Sequence, residues 1–259
     1  MAMTGPVSLC RLLSLTVAAL AAAMPGARAD QFDAEREQKY QDCMAQAQRL
    51  PADGYETALT WEGQGGGDPA HHCAAVALIG LGKYQEAAAQ LESLAAGLAD
   101  KQPALAAEAF GQAGQAWTSA NQLAKALAVQ DAGLKLAPED VDLLVDRAFT
   151  QKSLNEFAKA LDDLNKAATL DPNRSDILTY RASAYRFLNR LADARADADA
   201  ALVLDPKNAE ALLERGIIRR LADDAAGARA DWMQAIELAP GTPAGDLAKA
   251  NLEKLDVKP

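Results

Sequence analysis

The sequence predicts an all-α fold, a solenoid of stacked antiparallel helix hairpins. Four prolines, Pro138, Pro172, Pro206 and Pro240, recur at intervals of 34 residues. Because proline cannot continue a helix, each marks the end of one hairpin and the turn into the next. The 259 residues are 50% apolar and only 5% aromatic, with alanine the dominant apolar residue. Such a composition favours closely packed helices over a β-sheet core.

Four 34-residue frames, which begin at Ala107, Val141, Ser175 and Ala209, share the same order of large and small residues. A large residue opens each first helix and a small one follows four places later, as in Phe110/Gly114, Leu144/Ala148, Leu178/Ala182 and Leu212/Gly216. A second small column consists of Ala126, Ala160, Ala194 and Ala228. Small residues at fixed positions let two helices approach closely, while the large ones fill the adjoining space. Each frame is therefore predicted to be one helix hairpin.

These columns resemble the tetratricopeptide repeat (TPR) pattern of a large residue, a small residue, an aromatic residue, alanine and proline. The resemblance covers about residues 68–255 and implies a right-handed superhelical solenoid. It is uneven, because Trp117 and Tyr185 hold the aromatic column that closes the first helix, whereas Gln151 and Arg219 replace it. These departures affect local packing rather than the fold.

Charged residues also recur within the frames. Arginine is followed 16 residues later by aspartate three times, as Arg147/Asp163, Arg181/Asp197 and Arg215/Asp231. In the remaining frame both charges are absent together, since Ala113 and Val129 occupy the same two places. Removing one partner of a buried ion pair is far more costly than replacing both. We therefore predict that each pair forms a contact across its hairpin and belongs to the scaffold.

The N-terminal segment has the layout of a secretory signal peptide. Arg11 precedes an uncharged apolar run from Leu12 to Met24, and Ala27-Arg28-Ala29 supplies a cleavage site. An uncleaved anchor is the alternative, but the run is shorter than the roughly 20 residues that span a bilayer. We expect cleavage after Ala29 and a periplasmic mature chain without stable membrane insertion.

The remaining boundaries follow from the repeat and from the places where it fails. A closing helix is expected at the C-terminal end, and about five extra residues lie around Ala96–Ala104. The predicted segments are 1–29 signal peptide, 30–67 irregular helical hairpin, 68–106 degenerate repeat, repeats at 107–140, 141–174, 175–208 and 209–242, and 243–259 capping helix.

Two cysteines remain in the mature chain, Cys43 and Cys73, near the adjacent residues His71 and His72. An oxidising compartment favours a disulfide between them. Buried free thiols and a metal site are the alternatives. His71, His72 and Cys73 are consecutive on a helix and point about 100° apart, which makes a shared metal the weakest of the three.

Charge and motif content narrow the function classes. Without the signal peptide the chain has 24 basic and 36 acidic residues, a net charge of −12, which argues against nucleic acid as a partner. The glycine-rich segment 63–68 lacks the Lys-Ser/Thr of a phosphate loop. We therefore interpret its glycines as the end of one helix and Asp68 as the N-cap of the next. No catalytic constellation can be assembled from separate elements, and neither enzymatic activity nor a cofactor is expected.

In tetratricopeptide repeat proteins, which this sequence resembles, the first helices of the repeats line a concave surface. The resemblance therefore implies that this chain binds a partner. The family's Lys column for binding a terminal carboxylate is replaced here by Gly111, Val145, Thr179 and Leu213. We expect an interaction scaffold for a protein or peptide; a self-associating structural protein and a metal or redox role for the cysteine–histidine region are the alternatives. For Phe149, Phe187 and Ile217 the alternative is packing between repeats. The resemblance assigns these residues to the groove: Gln112, Gln115, Phe149, Lys152, Tyr180, Ser183, Arg186, Phe187, Ile217 and Arg220.

Overall fold

A computed structural model describes residues 27–256 of the chain, with side chains from Ala34 onward. All secondary structure in this range is helical, which confirms the all-α fold class. The thirteen helices of the described range are α1 Ala27–Arg49, α2 Pro51–Gly63, α3 Gly67–Gly80, α4 Tyr84–Leu98, α5 Pro103–Ser119, α6 Leu123–Leu136, α7 Val141–Ser153, α8 Phe157–Leu170, α9 Ser175–Phe187, α10 Leu191–Leu204, α11 Ala209–Leu221, α12 Ala225–Leu238 and α13 Pro243–Asp256. The signal-peptide prediction lies outside the described residues, apart from Ala27–Ala29 at the start of α1.

The chain divides into two compact units, with the boundary between Ala137 and Pro138. In the N-terminal unit, helices α1 to α6 pack as successive antiparallel neighbours, and α1 also contacts α3. One core cluster gathers Leu78, Leu91, Phe110 and Trp117 from α3, α4 and α5. A second cluster surrounds a disulfide between Cys43 of α1 and Cys73 of α3, whose Cα atoms are 6.1 Å apart. The disulfide therefore ties the irregular first hairpin to the next one.

The irregular places in the N-terminal unit differ from expectation in two details. The extra residues around Ala96–Ala104 lengthen the helices rather than forming a loop, since α4 runs to Leu98 and α5 has 17 residues against 13 in α7. Asp68 does not cap α3, because the helix begins one residue earlier, at Gly67, and Asp68 lies in its first turn. A carboxylate in that turn still interacts favourably with the helix dipole.

In the C-terminal unit, hairpins α7/α8, α9/α10 and α11/α12 follow the 34-residue frames, and α13 packs on α11 and α12. Side chains of Asp140 and Asn208 cap α7 and α11 by accepting hydrogen bonds from backbone N–H groups. The last core cluster contains Leu212 and Trp232, and Leu252 of α13 packs against it. Helix α13 thereby covers apolar surface of the final hairpin.

In the four hairpins from α5/α6 to α11/α12, the turn contains one residue with a left-handed backbone conformation, which the repeat columns did not predict. Asn121, Asn155, Asn189 and Asp223 stand 34 residues apart and have φ between 57° and 61°. Asparagine and aspartate tolerate this conformation better than other residues with a side chain. Their spacing is visible in the sequence and would have located the turns.

The three predicted Arg–Asp contacts across the hairpins are confirmed, and each is a bidentate ion pair. The Nε and Nη2 atoms of Arg147 lie 2.8 and 2.7 Å from the carboxylate oxygens of Asp163. The corresponding distances are 2.6 and 2.8 Å for Arg181/Asp197, and 3.0 and 2.7 Å for Arg215/Asp231. Where the charges are absent, Ala113 and Val129 are buried in the core. These arginines are therefore part of the scaffold.

Candidate functional site

The first helices of the C-terminal hairpins, α7, α9 and α11, lie side by side. Lys152, Arg186 and Arg220 occupy equivalent places near their C-terminal ends, at intervals of 34 residues. Three cations on adjacent helices form a short column, and we call the surface that carries them the first-helix face. The three cations differ in whether a carboxylate of a neighbouring helix forms an ion pair with them.

Arg186 is paired within the molecule. Its guanidinium donates two hydrogen bonds to the carboxylate of Glu214 on α11, and Nη2 lies 3.2 Å from Oε2. The pair is well shielded, because 15% of the Arg186 side chain and 10% of the Glu214 side chain are exposed. The guanidinium also lies 4.2 Å from the ring centre of Phe187. Arg186 thus joins α9 to α11 and is already neutralised.

The other two cations of the column have no such partner. Lys152 is half-buried and forms no hydrogen bond or ion pair with any residue that the structure describes. Burial lowers the pKa of its ammonium; the charge of Glu214 opposes this change, and the charge of Arg186 adds to it to a smaller extent. Arg220 is exposed and likewise has no carboxylate partner within the described range. Among the described residues, these two cations of the first-helix face therefore form no direct ion pair.

Aromatic and aliphatic groups accompany the cations. The rings of Phe149 and Tyr180 meet edge to face with their centres 6.4 Å apart, and burial raises the pKa of Tyr180 to about 12. Phe187 is 46% exposed and stacks on Phe157, with a ring-centre distance of 4.3 Å. Ile217 packs against the core cluster of the last hairpins. Part of the expected apolar stripe therefore serves packing between hairpins.

Ser183 is the one expected groove residue of this unit that the structure buries. Only 3% of it is exposed, because α9 is flanked by both α7 and α11. Its position is equivalent to those of Phe149 and Ile217 in the neighbouring first helices. Ser183 therefore offers little surface to a partner, and its contact with one stays a prediction.

Comparisons with known proteins agree with this architecture. Residues 114–184 match a family profile described as tetratricopeptide repeat. This segment of the chain is therefore similar to tetratricopeptide repeats. MamA from Desulfovibrio magneticus RS-1 superimposes with a TM-score of 0.57 and 19% identity, over 66% of this chain and 94% of that one. YrrB, a TPR protein with an unusual peptide-binding site, superimposes with a TM-score of 0.53 and 20% identity, over 70% of this chain and 91% of that one. Among curated proteins, none matches the chain significantly.

In the N-terminal unit, Gln112 is held by a hydrogen-bonded chain across three helices. His72 Nε2 lies 2.7 Å from Gln112 Oε1, and His72 Nδ1 lies 2.8 Å from the Tyr40 hydroxyl. The neutral tautomer that satisfies both contacts donates from Nε2 and accepts the Tyr40 proton at Nδ1. Burial lowers the pKa of His72 and raises that of Tyr40. Gln115, the other expected residue of this unit, is half-buried on the same helix.

The same contacts bear on the metal alternative for the cysteine–histidine region. Cys43 and Cys73 are bonded to each other, and both ring nitrogens of His72 face hydrogen-bond partners. His71 lies on the surface, where its Nε2 is 3.1 Å from a carboxylate oxygen of Glu62. The four residues do not converge, and the described residues contain no group of three or more candidate ligands. Nor is any described helix both long and apolar enough to cross a membrane.

Proposed function

We propose that this chain is a non-enzymatic interaction scaffold that binds a peptide or protein through the first-helix face of its C-terminal unit. The observation that carries the proposal is that two cations, Lys152 and Arg220, form no direct ion pair among the described residues, on a row of first helices that also bears Phe149 and Tyr180. Stacked helix hairpins present extended surfaces of this kind to partners. Unpaired charge next to aromatic groups gives a binding surface both affinity and orientation.

The residues proposed to contact the partner differ in weight. Lys152, Tyr180, Phe187 and Arg220 offer exposed or half-exposed groups, whereas Arg186 acts mainly by holding the face together through Glu214. Phe149 and Ile217 support the surface from beneath, and Gln112 and Gln115 would contribute a separate polar surface in the N-terminal unit. YrrB is described as having a peptide-binding site, and a function of the same kind is proposed for this chain.

We also propose that the scaffold acts in the bacterial cell envelope, after cleavage at Ala29. The layout of residues 1–29 supports export. A fully buried disulfide between Cys43 and Cys73 suits an oxidising compartment, where such bonds persist. Because both sulfur atoms lie in the core, this bond fits a structural role better than a cycling redox pair.

Site-specific photo-cross-linking tests the proposal. A photoreactive phenylalanine analogue is placed at Phe187, which is 46% exposed on the first-helix face, or at Val203, which is 81% exposed on the second helix α10. The mature chain is then exposed to periplasmic extract and irradiated. We expect a discrete cross-linked partner from position 187 and none from position 203. Equal labelling from both positions would contradict the proposal, and a cross-link only to a second copy of the chain would establish the self-association alternative.

A further inference from the structure

Helix α1 contacts the rest of the N-terminal unit through few buried side chains. Of the side chains described on this helix, from Ala34 to Arg49, three are buried: Tyr40, Cys43 and Ala47. The other positions in this range are exposed or half-buried, and most of them carry polar or charged groups. A terminal helix with a polar outer face and a narrow buried face is what caps a stack of helix hairpins.

The core beneath α1 consists mainly of small residues. Among the described residues, the buried cluster around the disulfide has ten members, of which five are alanine and two are the bonded cysteines. The neighbouring cluster instead contains Leu78, Leu91, Phe110 and Trp117. Because the free energy of burial grows with the apolar area removed from water, alanines hold a helix less firmly than leucine or phenylalanine. The covalent bond is therefore a large part of what fixes α1 in place.

The disulfide lies wholly inside the protein. Cys43 and Cys73 have no exposed surface. Thiol–disulfide exchange requires a thiolate to attack a sulfur atom directly, so a reagent reaches this pair only after α1 has moved away from α3. Formation of the bond and docking of α1 are therefore coupled, since the bond exchanges while α1 is open and then keeps it closed.

We propose that α1 is a cap whose docking depends on the redox state of the chain. In the reduced chain α1 is released from α3, and oxidation of Cys43 and Cys73 closes it. The two S–H bonds are lost as the S–S bond forms, and a disulfide-bearing oxidant takes up the two electrons and two protons and becomes a dithiol. In a chain exported as proposed above, α1 closes once, after transfer from the reducing cytoplasm. This role is separate from the scaffold function, which is proposed for the C-terminal unit.

Release of α1 changes the surface that α3 presents. His72 is 6% exposed, and its Nδ1 lies 2.8 Å from the hydroxyl of Tyr40 on α1. Cys73 and Ala74 belong to the cluster that α1 completes. Without α1, His72 loses the contact with Tyr40, and the apolar face of α3 meets water. The reduced chain therefore presents an apolar, thiol-bearing face that the oxidised chain hides.

Hydrogen exchange followed by mass spectrometry compares the two redox states of the mature chain. The reduced chain is unfolded in urea and refolded in the presence of dithiothreitol, and the oxidised chain goes through the same cycle without it. We expect peptides of α1 to exchange about 100-fold faster in the reduced chain, and peptides of α5 and α6 to exchange equally in both. Equal protection of α1 in both states would overturn the proposal. Loss of protection throughout α5 and α6 would overturn it too, because the bond would then hold the whole unit rather than one helix.

Two variants separate the disulfide from the hydrogen bond. Cys43→Ala/Cys73→Ala should leave α1 rapidly exchanging with or without dithiothreitol. Tyr40→Phe removes the contact with His72 but keeps the disulfide, and α1 should stay protected in its oxidised form. If Tyr40→Phe opens α1 as far as loss of the cysteines does, the hydrogen bond holds the cap and the proposal fails.

The titration of His72 gives an independent measurement. Burial lowers the pKa of His72 in the closed form. In the reduced chain NMR should find this pKa raised towards the ordinary histidine value of about 6.5, with the resonance assigned by its loss in His72→Gln. A His72 pKa that stays equally low in the folded, reduced chain would show that α1 still covers it, which contradicts release of the cap.

Discussion

Replacing Gly216 with alanine probes how closely the two helices of the last hairpin approach. Gly216 lies in α11 opposite Trp232 of α12, and a Cβ atom added to it would lie 2.3 Å from Nε1 and 2.6 Å from Cδ1 of the indole. Trp232 is 3% exposed, and its N–H donates to the carbonyl of Leu213 at 3.2 Å. The added methyl must therefore displace a buried ring and threaten its hydrogen bond.

Two opposing effects set the size of the change. Alanine is favoured over glycine in a helix interior by about 1 kcal/mol. Overpacking a core costs about 1–3 kcal/mol, and a buried donor that loses its partner costs about 1–3 kcal/mol more. We expect Gly216→Ala to lower the free energy of unfolding by about 1–5 kcal/mol, measured by urea denaturation.

The rest of the chain supplies the control for this experiment. In an earlier repeat the equivalent pair is Ala148 and Leu164, so the double variant Gly216→Ala/Trp232→Leu restores a combination the fold already contains. In the Trp232→Leu background, Gly216→Ala should be neutral or stabilising, which gives a coupling energy above about 1 kcal/mol. A Gly216→Ala protein that is more stable than the wild type would refute the reasoning.

Three further predictions concern buried polar groups. Asp163→Ala should destabilise the chain by about 3 kcal/mol, because it removes the carboxylate that pairs with the shielded Arg147, while Arg147→Leu/Asp163→Leu should cost much less; equal losses in urea denaturation would contradict this. Gln130→Met should stabilise by about 1–2 kcal/mol, since the buried Oε1 of Gln130 has no hydrogen-bond partner among residues 27–256; a loss of stability would contradict this. Because burial lowers the pKa of His72 in the folded state, the unfolded chain takes up a proton first as the pH falls below about 6.5, and stability should fall by up to about 1.4 kcal/mol per pH unit until the folded pKa is reached. Urea midpoints between pH 7.5 and pH 5 measure this, and His72→Gln should reduce the slope; an unchanged slope would exclude His72 as its source.

The features that the sequence predicted are those encoded within one hairpin. The 34-residue spacing of proline and the small-residue columns located the helices, because each turn and each close approach needs a particular residue type at a fixed place. The Arg–Asp contacts were predicted because both residues occur together in three repeats and are both missing from the fourth. A buried charge and its partner are retained or lost together, since a lone buried charge is costly. The left-handed turn residues Asn155 and Asn189 obey the same period and were available to the same reasoning.

Contacts between hairpins were harder to foresee. The Arg186–Glu214 pair and the Tyr40–His72–Gln112 chain join successive first helices, and which residues meet depends on the rotation and offset of those helices. Sequence spacing alone does not fix either quantity. Ser183 illustrates the consequence, because it occupies a groove column yet lies between two flanking helices. The sequence therefore predicted the candidate site as sets of equivalent positions in successive repeats. The structure was needed to distinguish the residues that are exposed from those that pack between helices.

The affinity of the cross-linked partner for charge-reversed chains tests the central claim most directly. Arg220→Glu inverts an exposed cation of the first-helix face, and Lys207→Glu makes the same charge change in the exposed loop before α11. If the partner binds at the first-helix face, Arg220→Glu should raise Kd about tenfold, equivalent to about 1.4 kcal/mol, and Lys207→Glu should change it by less than about twofold. Equal effects from the two variants, or none from Arg220→Glu, would contradict binding at this face.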